Sequence, residues 1–392
     1  MCKFSINKYR VKEPVFTGGR FEFLNSSDML DFHRSLEGYE ATSLISMEKI
    51  SKKLGIKKLY VKDESKRFGV KAFKPLGASY AIFRVLKREW ELKFDSEFDF
   101  KSFKDKKKLE KLGSFTFCAA SDGNHGRAVA WTANRLEQKA VIYMPGDTVR
   151  SRIKNIEKEG AEVKIIDGTY DDCVKQISID AKKNGWIEVG DTAYEGYTDI
   201  PSWVLNGYST IFNEIEAELG KDGLREIDIL LLQAGVGAFA AAGTFFFVKK
   251  LGRERPKIVI VEPDEAACYL DSIKFGNGKA IPAKGKMETI MAGLNCGIPS
   301  IIAWSIIRDS VDIFISIPDR FAKDAMRSYA EEGIISGESG ASGLAGLIAL
   351  SESKSLNEAK EKLGITKNST VLVINTEGDT DPENYKKIIG QL

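Results

Sequence analysis

Short β-branched apolar runs alternate with helical stretches along most of the chain, and this alternation constrains the fold more than any other feature. The runs fall at 58–61, 115–119, 140–144, 162–166, 227–232, 257–261, 311–315 and 370–374. Their length suits strands, and most carry apolar residues on both faces. Strands buried on both faces and separated by helices build mainly parallel α/β sheets. Helices are expected between them, at 126–135, 149–158, 170–184, 200–219 and 237–251. Two blocks of strand–helix units, near 115–190 and from about 227 onward, predict two sheets.

Composition removes several function classes. The 392 residues suffice for two or three domains, and the 43% hydrophobic and 29% charged content is that of a globular chain. Lys+Arg 58 against Asp+Glu 56 leaves a net charge of +2, so bulk charge points to neither a nucleic acid nor a membrane partner. The only histidines are His33 and His125, which argues against a zinc site built on several His; no metal is expected. Five cysteines, odd in number, widely spread and without CxxC, fit neither a disulfide framework nor a zinc ribbon. The first ten residues contain no apolar segment, so no signal peptide is expected. The apolar stretches 238–248 and 344–350 are too short for a bilayer span. A soluble, cytoplasmic protein is the expectation. Residues 87–111, dense in Lys, Glu and Phe, read as a solvated surface excursion rather than a binding arm.

Gln233-Ala-Gly-Val-Gly-Ala238 follows an expected strand and opens an apolar helix. Glycines let successive N–H groups converge on an anion, and the helix N-terminus adds its positive end. A phosphate is the natural guest, and a ligand-free tight turn is the plain alternative. Gly235-Val-Gly-Ala-Phe-Ala240 also satisfies G-x-G-x-x-A, and Glu262 ends the following strand. That pattern suits a nicotinamide-dependent dehydrogenase built on 235–240, with Glu262 on a ribose.

Two further segments carry chemistry. In Arg67-Phe-Gly-Val-Lys71-Ala-Phe-Lys74-Pro-Leu-Gly77, Lys74 stands near the start of an expected helix. A desolvated lysine at a helix N-terminus has a lowered pKa and can attack carbonyls. An ordinary surface lysine is the alternative, and Lys71 is the competitor. Ser121-Asp-Gly-Asn-His-Gly126 follows a strand and leads into a helix. Its small residues and N–H groups suit a carboxylate, and Asn124 suits a phenolate oxygen; alone, it is equally a capped polar turn.

Together these segments resemble the fold-type II enzymes that use pyridoxal phosphate (PLP), in their order and across most of the chain. Within that family the resemblance is to diaminopropionate ammonia-lyases. It is carried further by Gly190-Asp-Thr-Ala-Tyr-Glu-Gly-Tyr-Thr198, Val261-Glu-Pro-Asp264, Met291-Ala-Gly-Leu-Asn-Cys-Gly297, Ser336-Gly-Glu-Ser-Gly-Ala341 and Asn375-Thr-Glu-Gly-Asp-Thr380. The resemblance implies two doubly wound, mainly parallel sheets, with the active site between a large PLP-binding domain (1–85 and 196–392) and a small one (86–195). Lys74 would hold PLP as a Schiff base, and Asn124 would contact the ring 3-hydroxyl. The backbone of Ala234, Gly235, Val236 and Gly237 would cradle the phosphate. Thr376 would face the pyridine nitrogen. Ser121, Asp122, Gly123, Asn124 and His125 would form the substrate carboxylate loop, with His125 shaping it rather than acting as a base. A homodimer is implied, and Cys268 and Cys296 would approach each other near the site, either as a bridge or as two reduced thiols.

One departure bears on the substrate. Family dehydratases commonly place a small hydroxyl residue where this chain has Asp122. An anion there suits a β-ammonium more than a hydroxyl leaving group, and Asp191 would add a second carboxylate; either Asp is otherwise a cap or turn residue. The implied reaction is α,β-elimination of D- or L-2,3-diaminopropionate through an aminoacrylate to pyruvate and two ammonia. Lys74, Asp122 and Asp191 are its catalytic candidates. A serine/threonine dehydratase, the dehydrogenase above and a catalytically silent PLP-binding protein are the competing readings.

Overall fold

A computed structural model describes residues 1–16, 21, 23, 24 and 26–391. Within them the chain forms two compact units: Met1–Thr17, Ala41–Lys66 and Ile211–Leu392 in one, Gly18–Glu40 and Arg67–Thr210 in the other. In chain order the strands are β1 (Lys3–Ile6), β2 (Leu44–Ser46), β3 (Lys58–Asp63), β4 (Thr116–Ala120), β5 (Lys139–Pro145), β6 (Glu162–Ile166), β7 (Ile187–Glu188), β8 (Ile229–Gln233), β9 (Lys257–Pro263), β10 (Ile313–Ile317) and β11 (Thr370–Asn375).

The first unit is built on a seven-stranded sheet in the order β1-β10-β9-β8-β11-β3-β2. Its five inner strands run parallel, and the short edges β1 and β2 are antiparallel to β10 and β3. β8, β10 and β11 are buried at every position, the condition for a sheet covered on both faces. One face packs on the helices Asp319–Glu331 and Ser342–Glu352 through Leu231, Val261, Ile315, Leu344 and Val373. Because the inner strands are parallel, they present their C-terminal ends along one edge, where open α/β sheets bind ligands.

The second unit holds a parallel four-stranded sheet in the order β6-β5-β4-β7. The helix Asn124–Arg135 follows β4, and the helix Lys74–Phe94 packs on it. Close packing also ties Lys74–Phe94 to the first turns of Asp199–Arg225. A Cβ at Gly77 would stand 2.5 Å from Tyr208 Cε1, and one at Gly207 would stand 2.4 Å from the Leu76 carbonyl oxygen. These contacts group the lysine segment with the smaller sheet, so the units divide at 66/67 and 210/211, whereas the sequence suggested 85/86 and 195/196.

The Lys- and Glu-rich stretch 87–111 is solvated only on its charged side. Trp90, Phe98, Phe103 and Leu109 are buried. Phe98 and Phe103 join a cluster in which Phe32 stacks on Phe83 at 4.7 Å and meets Phe103 edge-on at 5.1 Å. The phenylalanines are the reason that this excursion folds back on its own unit.

Candidate active site

Lys74 is the first residue of the helix Lys74–Phe94, and Pro75 sits in the first turn, where its missing N–H leaves no helical bond unmade. Ala72 and Phe73 are buried just before it, whereas Lys71 is exposed and has φ +62°. The chain thus turns Lys71 outward and Lys74 inward. Lys74 Nζ donates to Asp191 Oδ2 at 2.5 Å and lies 5.7 Å from the centroid of the Tyr208 ring. Burial drives the Tyr208 phenol far up from its ordinary pKa, so this wall is uncharged.

Asp191 is buried, and Tyr170 Oη donates to its Oδ1 at 3.3 Å. Burial works to raise this carboxyl, but the Lys74 ammonium and the hydrogen bonds from Lys74 and Tyr170 hold it well below the usual carboxylate range. His125 approaches the same group, with Nδ1 3.8 Å from Asp191 Oδ2. Its Nε2 lies 2.7 Å from the Val189 carbonyl oxygen, so Nε2 carries the hydrogen and Nδ1 is bare. Burial lowers the His125 pKa, with the Asp191 carboxylate opposing the shift. This anchorage by Val189 fits a residue that shapes the loop.

The loop after β4 is organised by Ser121. Its Oγ accepts from Gly123 N at 2.9 Å and Gly126 N at 2.8 Å, so it caps the helix Asn124–Arg135 and is committed to backbone. Gly123 has φ +143°, and a Cβ at Gly126 would stand 2.4 Å from Ile142 Cγ2, so both glycines are required. Asp122 is half-buried between these fixed points. Desolvation pushes its carboxyl up to about 7; Asp147 and Asp191 add to the rise, while Arg152 and Lys74 oppose it. Arg152 Nη1 donates to the Asp122 carbonyl oxygen at 3.1 Å, fixing the loop backbone. Asn124 opens the helix beside it, half-buried.

The first unit carries the glycine loop, between β8 and the apolar helix Ala238–Leu251. Ala234 N donates to the Val261 carbonyl oxygen at 3.0 Å, so this N–H belongs to the sheet and is not available to the phosphate expected there. Among the described residues, no backbone acceptor is found for the N–H groups of Gly235, Val236 or Gly237. The loop carbonyls are held instead: Val236 O accepts from Ser300 N at 3.0 Å and from Tyr269 Oη at 2.9 Å. Gly237 has φ +96°, and a Cβ there would stand 1.9 Å from Tyr269 Oη. A Cβ at Gly235 would stand 3.0 Å from Cys296 Sγ and 3.1 Å from the Gly293 carbonyl oxygen. Cys268 Sγ reaches the Gly235 carbonyl oxygen at 3.7 Å, so both cysteines border this loop; all five cysteines of the chain are buried thiols. Three unspent N–H groups at a helix N-terminus, with no room for side chains, fit a phosphate. Thr376 follows the neighbouring strand β11, and its Oγ1 accepts from Gln233 Nε2 at 3.0 Å.

The dinucleotide reading of 235–240 does not survive. Glu262 is fully buried, and its two oxygens accept from Tyr269 N at 2.7 Å and Leu270 N at 2.8 Å at the start of the helix Cys268–Phe275. Burial raises this carboxyl to about 8. Its hydrogen bonds are spent inside the fold, so it is not a ribose ligand.

Residues 36–377 match the family model described as pyridoxal-phosphate dependent enzyme. The chain belongs to that family. This PLP enzyme is 39% identical to the diaminopropionate ammonia-lyase of Salmonella typhimurium over 99% of its own length and 98% of the relative's. It is 41% identical to the diaminopropionate ammonia-lyase of Escherichia coli strain K12, over 91% and 89% of the two chains. The crystal structure of an E. coli diaminopropionate ammonia-lyase in complex with an aminoacrylate–PLP azomethine intermediate superposes with a TM-score of 0.87 and 37% identity, covering 100% of this chain and 97% of that one.

The side chains that motif reading missed in this PLP enzyme are Tyr170, Tyr208, Gln233 and Tyr269. Each acts through a neighbour far away in sequence, and only the place of Gln233 directly before the glycine loop gave a signal.

Proposed function

We propose that this enzyme is a PLP-dependent carbon–nitrogen lyase that converts 2,3-diaminopropionate and water to pyruvate and two ammonia. The observation that carries the reading is the pair of acidic groups around Lys74: Asp191 hydrogen-bonded to its Nζ, and Asp122, two positions along the carboxylate loop from Asn124, with a carboxyl raised to about 7. Similarity to diaminopropionate ammonia-lyases over nearly the whole chain supports the substrate class.

PLP, when bound, supplies the electron sink for the charge left by the departing α-proton. Lys74 would carry it, and Asn124 would meet its ring hydroxyl. The N–H groups of Gly235, Val236 and Gly237 would bind its phosphate, and Thr376 would bond the pyridine nitrogen. Ser121, Gly123 and His125 hold the loop that receives the substrate carboxylate. Asp191 orients the Lys74 amine through its hydrogen bond to Nζ. Asp122 is poised near neutrality, so its carboxylate can accept a proton at one moment and return it at another. Its negative form attracts the β-ammonium, and the lysine and this carboxylate give the enzyme two bases for the two mirror-image substrates. A homodimer in the cytoplasm completes the reading; among the described residues no helix is long and apolar enough to cross a membrane.

The test is pyruvate release from D- and L-diaminopropionate, with D- and L-serine and threonine alongside. Turnover of diaminopropionate well above that of the hydroxy amino acids is expected. Preferred turnover of serine or threonine makes the enzyme a dehydratase, and no turnover with PLP bound makes it a silent PLP carrier.

A further inference from the structure

The side-chain amide of Gln233 stands among oxygens at the edge where β8 and β11 end. The two strands are parallel neighbours, with Leu231 opposite Val373, so Gln233 and Thr376 leave the sheet side by side. Gln233 Nε2 lies 3.0 Å from the Ile374 carbonyl oxygen and 3.0 Å from Thr376 Oγ1, with the carbonyl oxygens of Ser339 and Gly340 at 3.4 Å. Carbonyl oxygens accept and never donate, so the end of the amide that faces three of them is the NH2 end. The chemistry of the surroundings fixes this orientation. The opposite end, Oε1, is buried with no hydrogen-bond partner, 3.3 Å from where a Cβ of Gly343 would stand. Leaving a buried acceptor unmatched is unfavourable, so the amide is held this way round against a local cost.

The consequence falls on Thr376. An amide NH2 has no lone pair to offer, so Gln233 donates and Thr376 Oγ1 accepts. A hydroxyl has a single hydrogen, and no hydrogen bond donated by Thr376 is found among the described residues. That hydrogen is therefore directed away from Gln233 and remains available to an acceptor.

We infer that Gln233 is a positioning residue that occupies one lone pair of the Thr376 hydroxyl and turns its hydrogen outward, which favours a hydrogen bond from Thr376 to an unprotonated ring nitrogen of bound PLP. The inference rests on the reading above that Thr376 meets that nitrogen. A ring held neutral withdraws charge less strongly than a pyridinium. Negative charge on the substrate then departs with a β-leaving group rather than persisting long enough for the proton to return elsewhere. Gln233 thereby biases the enzyme toward elimination without touching substrate or cofactor.

Solid-state 15N NMR of the holoenzyme, reconstituted with PLP labelled at the pyridine nitrogen, tests this directly, because that resonance moves far upfield on protonation. The wild-type resonance is expected to stay at the neutral position throughout the neutral pH range; a protonated nitrogen in the wild type overturns the proposal whatever any variant does. Gln233→Met removes the donor and is expected to make the resonance shift upfield as pH falls. Gln233→Asn, whose amide is one methylene too short, should do the same if the Met variant does not fold. A wild-type spectrum at every pH in a folded variant that retains PLP overturns the role of Gln233. Thr376→Asp separates the two readings. A carboxylate facing the nitrogen draws it to the protonated position, and an unchanged resonance in that variant refutes the placement of Thr376 rather than the hydrogen-bond logic of Gln233.

Discussion

Lys74 and Lys71 are three residues apart, yet the fold gives them different surroundings. Lys74→Ala is expected to abolish both the visible band of bound PLP and turnover, while Lys71→Ala keeps the band; absorbance of the two purified variants decides the assignment. Asp122 carries the substrate claim. Its carboxyl is raised to about 7, so it is ionised and able to accept a proton above that pH and protonated below. Turnover of the isomer that Asp122 serves, expected to be D-diaminopropionate, should fall as pH drops through about 7. On the proposed reading, Lys74 would be tethered to one side of the planar ring and would serve the L isomer. Asp122→Asn is expected to cost about 10²–10⁴ in kcat/KM for the D isomer, less for the L isomer, and to flatten the acid limb. Equal losses for both isomers would reduce Asp122 to an ammonium-binding group. The stability consequence has the opposite sign. A carboxyl raised on folding contributes stability at low pH that is lost as pH rises through its folded value. Asp122→Asn should therefore unfold at a higher temperature than wild type above pH 7, as calorimetry at two pH values would show.

On the proposed reading, the glycine loop offers its backbone, and not side chains, to the phosphate. Gly237 combines a positive φ with a Tyr269 hydroxyl 1.9 Å from where a Cβ would stand, so no side chain fits without moving that ring. Gly237→Asp adds a second injury, a carboxylate beside a phosphate dianion, and PLP titration should show strongly weakened binding. Affinity equal to wild type would refute the phosphate cradle. Strand assignment from apolar runs succeeded for the inner strands, and β6 has the expected bounds. It missed β1, β2 and β7, which are two to four residues long and half-exposed, because so short a run carries no periodicity. It also read 87–111 by its charges, whereas the buried Phe98 and Phe103 decide how that segment packs. Phe83→Ala, at the centre of the cluster, should lower stability by about 3–5 kcal/mol in a denaturant titration.

For the molecule as a whole, PLP is expected to act as a folding ligand as well as a reagent. Any group that binds only the native state stabilises it by mass action, about 2.7 kcal/mol at a hundred times its Kd. Removal of PLP should lower the Tm, and its return should restore it; an unchanged Tm would mean that the cradle is not occupied in the folded enzyme. The five buried thiols make a second check on the complete chain. Thiol titration of denatured, unreduced protein should count five, and a count of three would indicate that Cys268 and Cys296 form a bridge beside Gly235.

The division between sequence and fold runs along the range of the forces involved. Period, turn chemistry and motif order are local, so Lys74, Asp122, the Ser121–Gly126 loop and the glycine loop could be located from neighbouring residues, as could two parallel sheets. The G-x-G-x-x-A pattern misled for the same reason: any strand-to-helix turn that cradles a phosphate needs those glycines, and nothing local distinguishes a dinucleotide from PLP. The buried bonds of Glu262 to Tyr269 and Leu270 removed the ribose reading. Asp191 stands 117 positions from the lysine that it bonds, and Gln233 stands 143 positions from Thr376. Hydrogen bonds and desolvation act over a few ångströms in space regardless of distance along the chain. The ionisation of Asp122, the partner of Lys74 and the hydrogen-bond polarity of Thr376 therefore had to wait for the folded chain.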